Sequence, residues 1–167
     1  MILVTDVYYE GSNAVAAGLL FKDWNKDRVE RELIKNIQNV AAYEPGAFYK
    51  RELPCILSLL NEIENNLDMI VIDGCVTLGE DKKGGLGMHL YNAINREVPV
   101  IGVAKSEFTG TPPECRIFRG KSRNPLYVTS VGIPLERAKN HILSMHGENR
   151  LPTLLKQVDR LCRGTTD

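Results

Sequence analysis

Residues 69–74 read MIVIDG, four apolar residues in a row followed by an aspartate and a glycine. The unbroken run fits a central strand covered on both faces, because a half-solvated strand would alternate. Before it, Leu53, Ile56, Leu57, Leu60 and Ile63 recur at helical spacing within residues 50–65. After it, a glycine-, lysine- and acid-rich loop (78–87) leads to a short helix with Leu86, Leu90, Ala93 and Ile94 turned inward. A second buried strand, VPVIGVAK (98–105), follows. Strands alternating with helices are the α/β pattern.

Farther out, residues 2–8 and 14–21 read as two strands joined by the turn-rich EGSN, an antiparallel hairpin. Residues 28–40 fit either a helix, through Val29, Leu33, Ile34 and Ile37, or a third antiparallel strand. YEPG (43–46) is a loop and TGTPP (109–113) a turn. Residues 115–118 and 126–131 form a hairpin around the basic RGKSRN (119–124), and two helices close the chain, roughly 134–145 and 152–162. Hairpin strands first and alternating helices and strands afterwards imply a mixed sheet with helices on both faces.

A length of 167 residues suits one domain, 1–167. Lys+Arg and Asp+Glu both number 21, which argues against bulk capture of nucleic acid and leaves room for a local basic patch. The four cysteines, Cys55, Cys75, Cys115 and Cys162, are scattered without a C-x-x-C pair, which fits a reducing compartment. MILVTDVYY reads as a strand rather than a signal peptide. No apolar run approaches the ~18 residues of a membrane span. The expected location is the cytoplasm.

Three carboxylates carry the chemistry. Asp6 interrupts the apolar ILVTDVYY, Glu52 in EPGAFYKRELP stands in the first turn of a helix, and Asp73 closes the apolar run of MIVIDG. An ionised carboxylate beside buried apolar surface is costly unless it is paired or binds a cation. Three that converge suffice to hold Mg²⁺ against a phosphate. Each also has a plain reading: a solvated edge for Asp6, the helix dipole for Glu52, a turn for Asp73. Lys105 ends its strand where it reaches a phosphate or merely snorkels to solvent. Asp159 borders the apolar stripe of the last helix, in a polar pocket or a boundary salt bridge. His89, His141 and His146 lack metal-ligand spacing, and neither a P-loop nor a G-x-S-x-G elbow is present. Lys82, Lys83, Arg116, Arg119, Lys121 and Arg123 cluster in two loops, solvated or gripping phosphates.

In order and spacing, these segments resemble the endonuclease V family from residue 2 to about residue 163. VTDVYY resembles its first-strand aspartate, YEPGAFYKRELP its tyrosine–proline–glycine wedge and arginine–glutamate pair, and VIDG its valine–aspartate–glycine strand end. GGLGMHL and VPVIGVAKSEFTG resemble its glycine-rich helix start and its lysine strand. NPLYVTSVGIPLERA and RLPTLLKQVDRL resemble its last strand and closing helices.

The resemblance implies a ribonuclease H-like, mixed five-stranded sheet. It implies Mg²⁺-dependent (with Mn²⁺ as the alternative ion) hydrolysis of a phosphodiester near deaminated adenine in DNA, or in RNA. Asp6, Glu52 and Asp73 would bind the metal, and Lys105 would stabilise charge at the scissile phosphate. Tyr43, Pro45 and Gly46 would form the strand-separating wedge. Gly46, Phe48 and Gly74 would line the pocket for the flipped base, and Asp159 would be an accessory polar group. The chain departs from the family after Asp73, where CVTLGEDKKGG stands for the usual glycine–x–alanine–histidine–proline–arginine, and at SVGIPL, where a histidine is absent. It also begins at the first strand rather than with the family's N-terminal helical segment. Two further functions stay open: a catalytically impaired lesion-binding module of the same fold, and a nucleotide-binding regulator.

Overall fold

The turn at Gly11 and Ser12 folds strand β1 (Ile2–Glu10) back on β2 (Asn13–Phe21) in a computed structural model that describes residues 1–165. The ambiguous segment is a strand, β3 (Arg31–Ile37), antiparallel to β2. Leu33 is buried while its neighbour Ile34 is 54% exposed, the alternation of a pleat rather than a helical stripe. Helix α1 (Tyr49–Leu60) stops short of residue 65. The two residues after Asn61 close it with tighter bonds, Glu62 N–H to Leu59 and Ile63 N–H to Leu60, and Ile63 still packs on the core.

Strands β4 (Met69–Asp73) and β7 (Val100–Ala104) run parallel to β1. Between them lie a small hairpin, β5 (Thr77–Leu78) and β6 (Lys83–Gly84), and helix α2 (Leu86–Ala93). Strands β8 (Arg116–Ile117) and β9 (Leu126–Val131) pair antiparallel at the far side of β7. Helices α3 (Leu135–Ser144) and α4 (Thr153–Arg163) follow. The main sheet runs β3-β2-β1-β4-β7-β9-β8, seven strands where five were expected. The β8–β9 hairpin adds two because β7 would otherwise expose a row of unpaired N–H and C=O groups.

Alternation sorts the core into two layers. Ile2, Val4, Met69, Val71, Ile101 and Val103 pack with α3 and α4, through Ile142, Leu155 and Val158 among others. Leu3, Ile70, Ile72 and Val100 pack with α1 and α2, through Ile56, Leu59 and Leu90. Helices therefore cover both faces. Among the described residues, no helix is long and apolar enough to cross a membrane.

Candidate functional site

Side-chain alternation and strand pairing together assemble the site. Asp6 shares the face of Ile2 and Val4, Asp73 that of Met69 and Val71, and Lys105 that of Ile101 and Val103. Parallel pairing of Thr5 with Ile72 and of Asp73 with Val103 brings the three side chains together, Asp6 from the middle of β1 and Asp73 and Lys105 from the carboxyl ends of β4 and β7. That edge is where α/β sheets bind ligands. Helix α4 lies on the same face, and its Asp159, beside the inward Val158, points at Asp6 and Asp73. Oxygens of Asp6, Asp73 and Asp159 lie within 4.8 Å of one another. Glu52 is not in that set. It arrives from α1, on the opposite face, and is nearly fully buried.

Two cations hold this cluster. Lys105 Nζ donates to Asp73 Oδ2 at 2.7 Å and sits 3.7 Å from Asp159 Oδ1. Arg163 Nε donates to Asp159 Oδ1 at 3.1 Å and lies over the Tyr8 ring. The acids remain under-compensated. Burial, then the charge of Asp73, pushes the Asp6 carboxyl up to about 7 against the Val7 N–H bond. Burial, then Asp6 and Asp73, pushes Glu52 well above its ordinary value. For Lys105, burial works to lower its pKa, and the bond to Asp73 with the surrounding acids outweighs it, so the net shift is upward. The acids therefore favour a further cation or bound protons.

Two cavities share one wall. The first, about 640 Å³, is lined by Asp6, Glu52, Asp73, Lys105, Asp159 and Arg163, with Tyr9 and Phe48. The second, about 600 Å³, is mainly apolar and lies between Tyr43, Gly46 and Phe48 on one side and Phe108 on the other. Phe48, Asp73 and Gly74 border both. Pro45 lines neither cavity. Tyr43, Phe48 and Phe108 are exposed, aromatic faces open to a planar ligand. The β5–β6 hairpin, formed by the segment that departs from the family, walls the second cavity with Leu78, Gly79, Glu80, Asp81 and Lys83.

The chain leaving Asp73 crosses directly over β7. A Cβ on Gly102 would stand 2.6 Å from the Gly74 carbonyl oxygen, 2.8 Å from Thr129 Oγ1 and 2.9 Å from Val76 N. Thr129 Oγ1 accepts the Val76 N–H at 2.8 Å and pins this crossing. Gly102→Ala is expected to cost about 1–3 kcal/mol by overpacking, read by urea denaturation, and to displace Gly74 from the wall between the cavities.

Several residues take roles that pattern did not show. Tyr9 lies under the Arg51 guanidinium at 3.9 Å, and its hydroxyl and Arg51 Nε are buried without hydrogen-bond partners among the described residues. His89 stacks on Tyr49, ring centroids 3.5 Å apart. Arg119 is not available to grip phosphate. It is buried and donates to the carbonyls of Met145, Gly147, Asn149 and Arg150. Arg163 had one legible signal, its place four residues after Asp159 on a helix. Phe108 and Tyr9 had none, since loop and helix packing bring them to the cavities.

The sequence profile of Endonuclease V matches residues 1–122, a span that contains Asp6, Glu52, Asp73 and Lys105. The Endonuclease V of Nocardia farcinica is 32% identical over 141 residues, covering 72% of this chain and 61% of that protein. The crystal structure of Endonuclease V from Streptomyces avermitilis superposes with a TM-score of 0.78 at 27% identity, covering 98% of this chain and 79% of that one. The Ciona intestinalis enzyme, in complex with a 24mer DNA containing an inosine followed by a ribo-adenosine, has the same fold. Its TM-score is 0.77 at 18% identity, covering 98% of this chain and 84% of that one. The chain spans 60–62% of the length of several of the curated relatives it matches. The mixed sheet with helices on both faces is thus the ribonuclease H-like fold of these structures, and the chain belongs to the Endonuclease V family.

Proposed function

We propose that this chain is an endonuclease that hydrolyses a phosphodiester bond near deaminated adenine (inosine) in DNA or RNA. The observation that carries the reading is the convergence of Asp6, Asp73 and Asp159 beside Lys105, one wall away from an aromatic-sided pocket. Three carboxylates on a half-buried edge are the hard oxygen donors that Mg²⁺ or Mn²⁺ takes, and the raised proton affinity of Asp6 and of the neighbouring Glu52 fits an ion as the missing charge. Asp6, Asp73 and Asp159 would hold it, with Glu52 acting on it directly or through bound water. Such an ion, when bound, supplies Lewis acidity and a more acidic water.

The chain's own groups do the rest. Glu52, protonated more readily than an ordinary glutamate, takes or returns a proton inside the acidic cavity. Lys105 keeps a positive charge beside the phosphate, where charge grows in the transition state. Tyr43, Pro45 and Gly46 form the loop that parts the strand at the lesion, and Gly46, Phe48 and Gly74 receive the extruded base. A mispaired hypoxanthine leaves the stack at lower cost than a paired base. The inosine-bearing ligand of the Ciona intestinalis structure supports this substrate class.

The test is cleavage of a labelled inosine-containing strand beside its undamaged twin, with Mg²⁺ and with Mn²⁺. Cutting of the first alone is expected, and no cutting of either strand removes the proposal. The β5–β6 hairpin, standing where the family has a histidine and an arginine, favours one alternative, lesion binding without cleavage. That alternative predicts binding that survives Asp6→Ala and Asp73→Ala and no product at any metal concentration.

A further inference from the structure

Beyond the two cavities, the strongest charge asymmetry on the chain is RIFRGKSR (116–123), four cations in eight residues without an acid, in a protein of zero net charge. Its position follows from strand pairing. Tyr127 of β9 pairs with Ala104 of β7 and with Arg116 of β8. The connection between β8 and β9 therefore projects from the same sheet edge as Asp73 and Lys105. From β4 through β7 and β9 to β8 is three interstrand steps, about 14 Å, the rise of about four stacked nucleotides.

The loop is held from within. Besides the carbonyl bonds of Arg119, the chain packs closely at Gly120, whose φ is +61° and where a Cβ would lie 2.3 Å from the Glu148 carbonyl oxygen. Arg150 donates to the carbonyls of Asn124 and Pro125 and, from the same guanidinium, to that of Lys105. One side chain thus ties the loop to the lysine of the acidic cavity. Facing outward, Phe118 is 58% exposed, and Lys121 and Arg123 are exposed. Among the described residues neither cation has an ion-pair partner, whereas Arg116 is engaged by Glu107 at 3.0 Å. An exposed aromatic ring with free cations on a rigid loop is a stacking platform for a polyanion.

We infer that the 118–123 loop holds the nucleic-acid strand leaving the acidic cavity past Lys105, stacking a base on Phe118 and seating phosphates on Lys121 and Arg123. This rests on the chain being a nucleic-acid enzyme and adds where the strand runs. It makes affinity depend on strand length beyond the lesion.

Binding is measured in Ca²⁺ with two labelled inosine strands, one long and one cut back to about two nucleotides on each side, short of the reach to the platform. The double variant Lys121→Gln/Arg123→Gln is expected to weaken the long strand about tenfold and to flatten its salt dependence by about 1.4 log units per decade. Phe118→Ser is expected to weaken it about tenfold as well. Short-strand affinity and the cutting rate at saturating substrate stay unchanged, and Lys121→Arg/Arg123→Lys restores binding. Equal losses on both strands, or parental affinity for the long strand in folded variants, overturn the inference. Wild-type protein that cuts while the variants bind normally removes the platform alone. Wild-type protein that binds the long strand through the loop without cutting removes the nuclease reading alone.

Discussion

Asp73→Asn protein is expected to cut an inosine-bearing strand at least about a hundredfold more slowly than the parent. The substitution keeps the shape of the side chain and removes its charge, so it isolates electrostatics from packing. Asp73 is the acid with the most at stake: it accepts from Lys105 at 2.7 Å, belongs to the converging set, and borders both cavities. Its loss leaves two acids for an ion and frees the Lys105 ammonium from its nearest partner. Stability moves the other way. Asp73 raises the proton affinity of both Asp6 and Glu52, so its neutralisation relieves repulsion. Cleavage kinetics and thermal melts in chelator should therefore separate: lower activity, unchanged or higher melting temperature. A variant that cuts at the parental rate removes Asp73 from the chemistry, and one that loses activity because it unfolds is exposed by the same melts.

The metal-free protein is expected to lose stability as pH rises from about 4 to about 8. Asp6 has an ordinary value of 3.8 and is pushed up to about 7 in the fold, first by burial and then by Asp73, and Glu52 shifts in the same direction. The folded state therefore binds more protons than the unfolded chain between these values. The contribution is fully present below 3.8 and is lost as pH passes through about 7. At about 1.4 kcal/mol per unit, Asp6 accounts for a loss on the order of 4 kcal/mol, a large share of a typical domain's stability. Saturating Mg²⁺ or Mn²⁺ replaces the protons, so the melting temperature recovers at pH 8 and hardly responds at pH 4 to 5. Asp6→Asn should flatten the pH dependence and blunt the metal response. A metal-free protein whose stability rises through this window would contradict the account.

The residues legible in sequence were those whose local setting was already anomalous. Asp6 and Asp73 interrupt apolar runs, and the strand period fixes the face each takes. The third acid was less legible. Glu52 occupies a helix first turn next to conspicuous loop residues, yet the set within 4.8 Å contains Asp159 in its place. Only the docking of α4 against β1 and β2 brings Asp159 there, and its boundary position beside Val158 was a hint without a direction. Residues 28–40 were ambiguous because Leu33 and Ile34 are both apolar, and pairing with β2 settles which is buried. Arg119 read as one more loop cation, and it is buried because four carbonyls some 26–31 residues later need a donor. The five-strand expectation failed at the β7 edge, where hairpin pairing rather than local pattern decides membership of the sheet.

The alignment of Asp6, Asp73 and Lys105 on three neighbouring strands sets a rule for how this chain can vary. A single residue inserted between Ile2 and Asp6, or between Met69 and Asp73, would turn the acid toward α1 and α2 and bury its charge in the wrong layer. Insertions in the turn of the β5–β6 hairpin leave that phase untouched. Relatives of this protein can therefore differ freely in loop length, while the short distances from strand start to acid stay fixed to the residue.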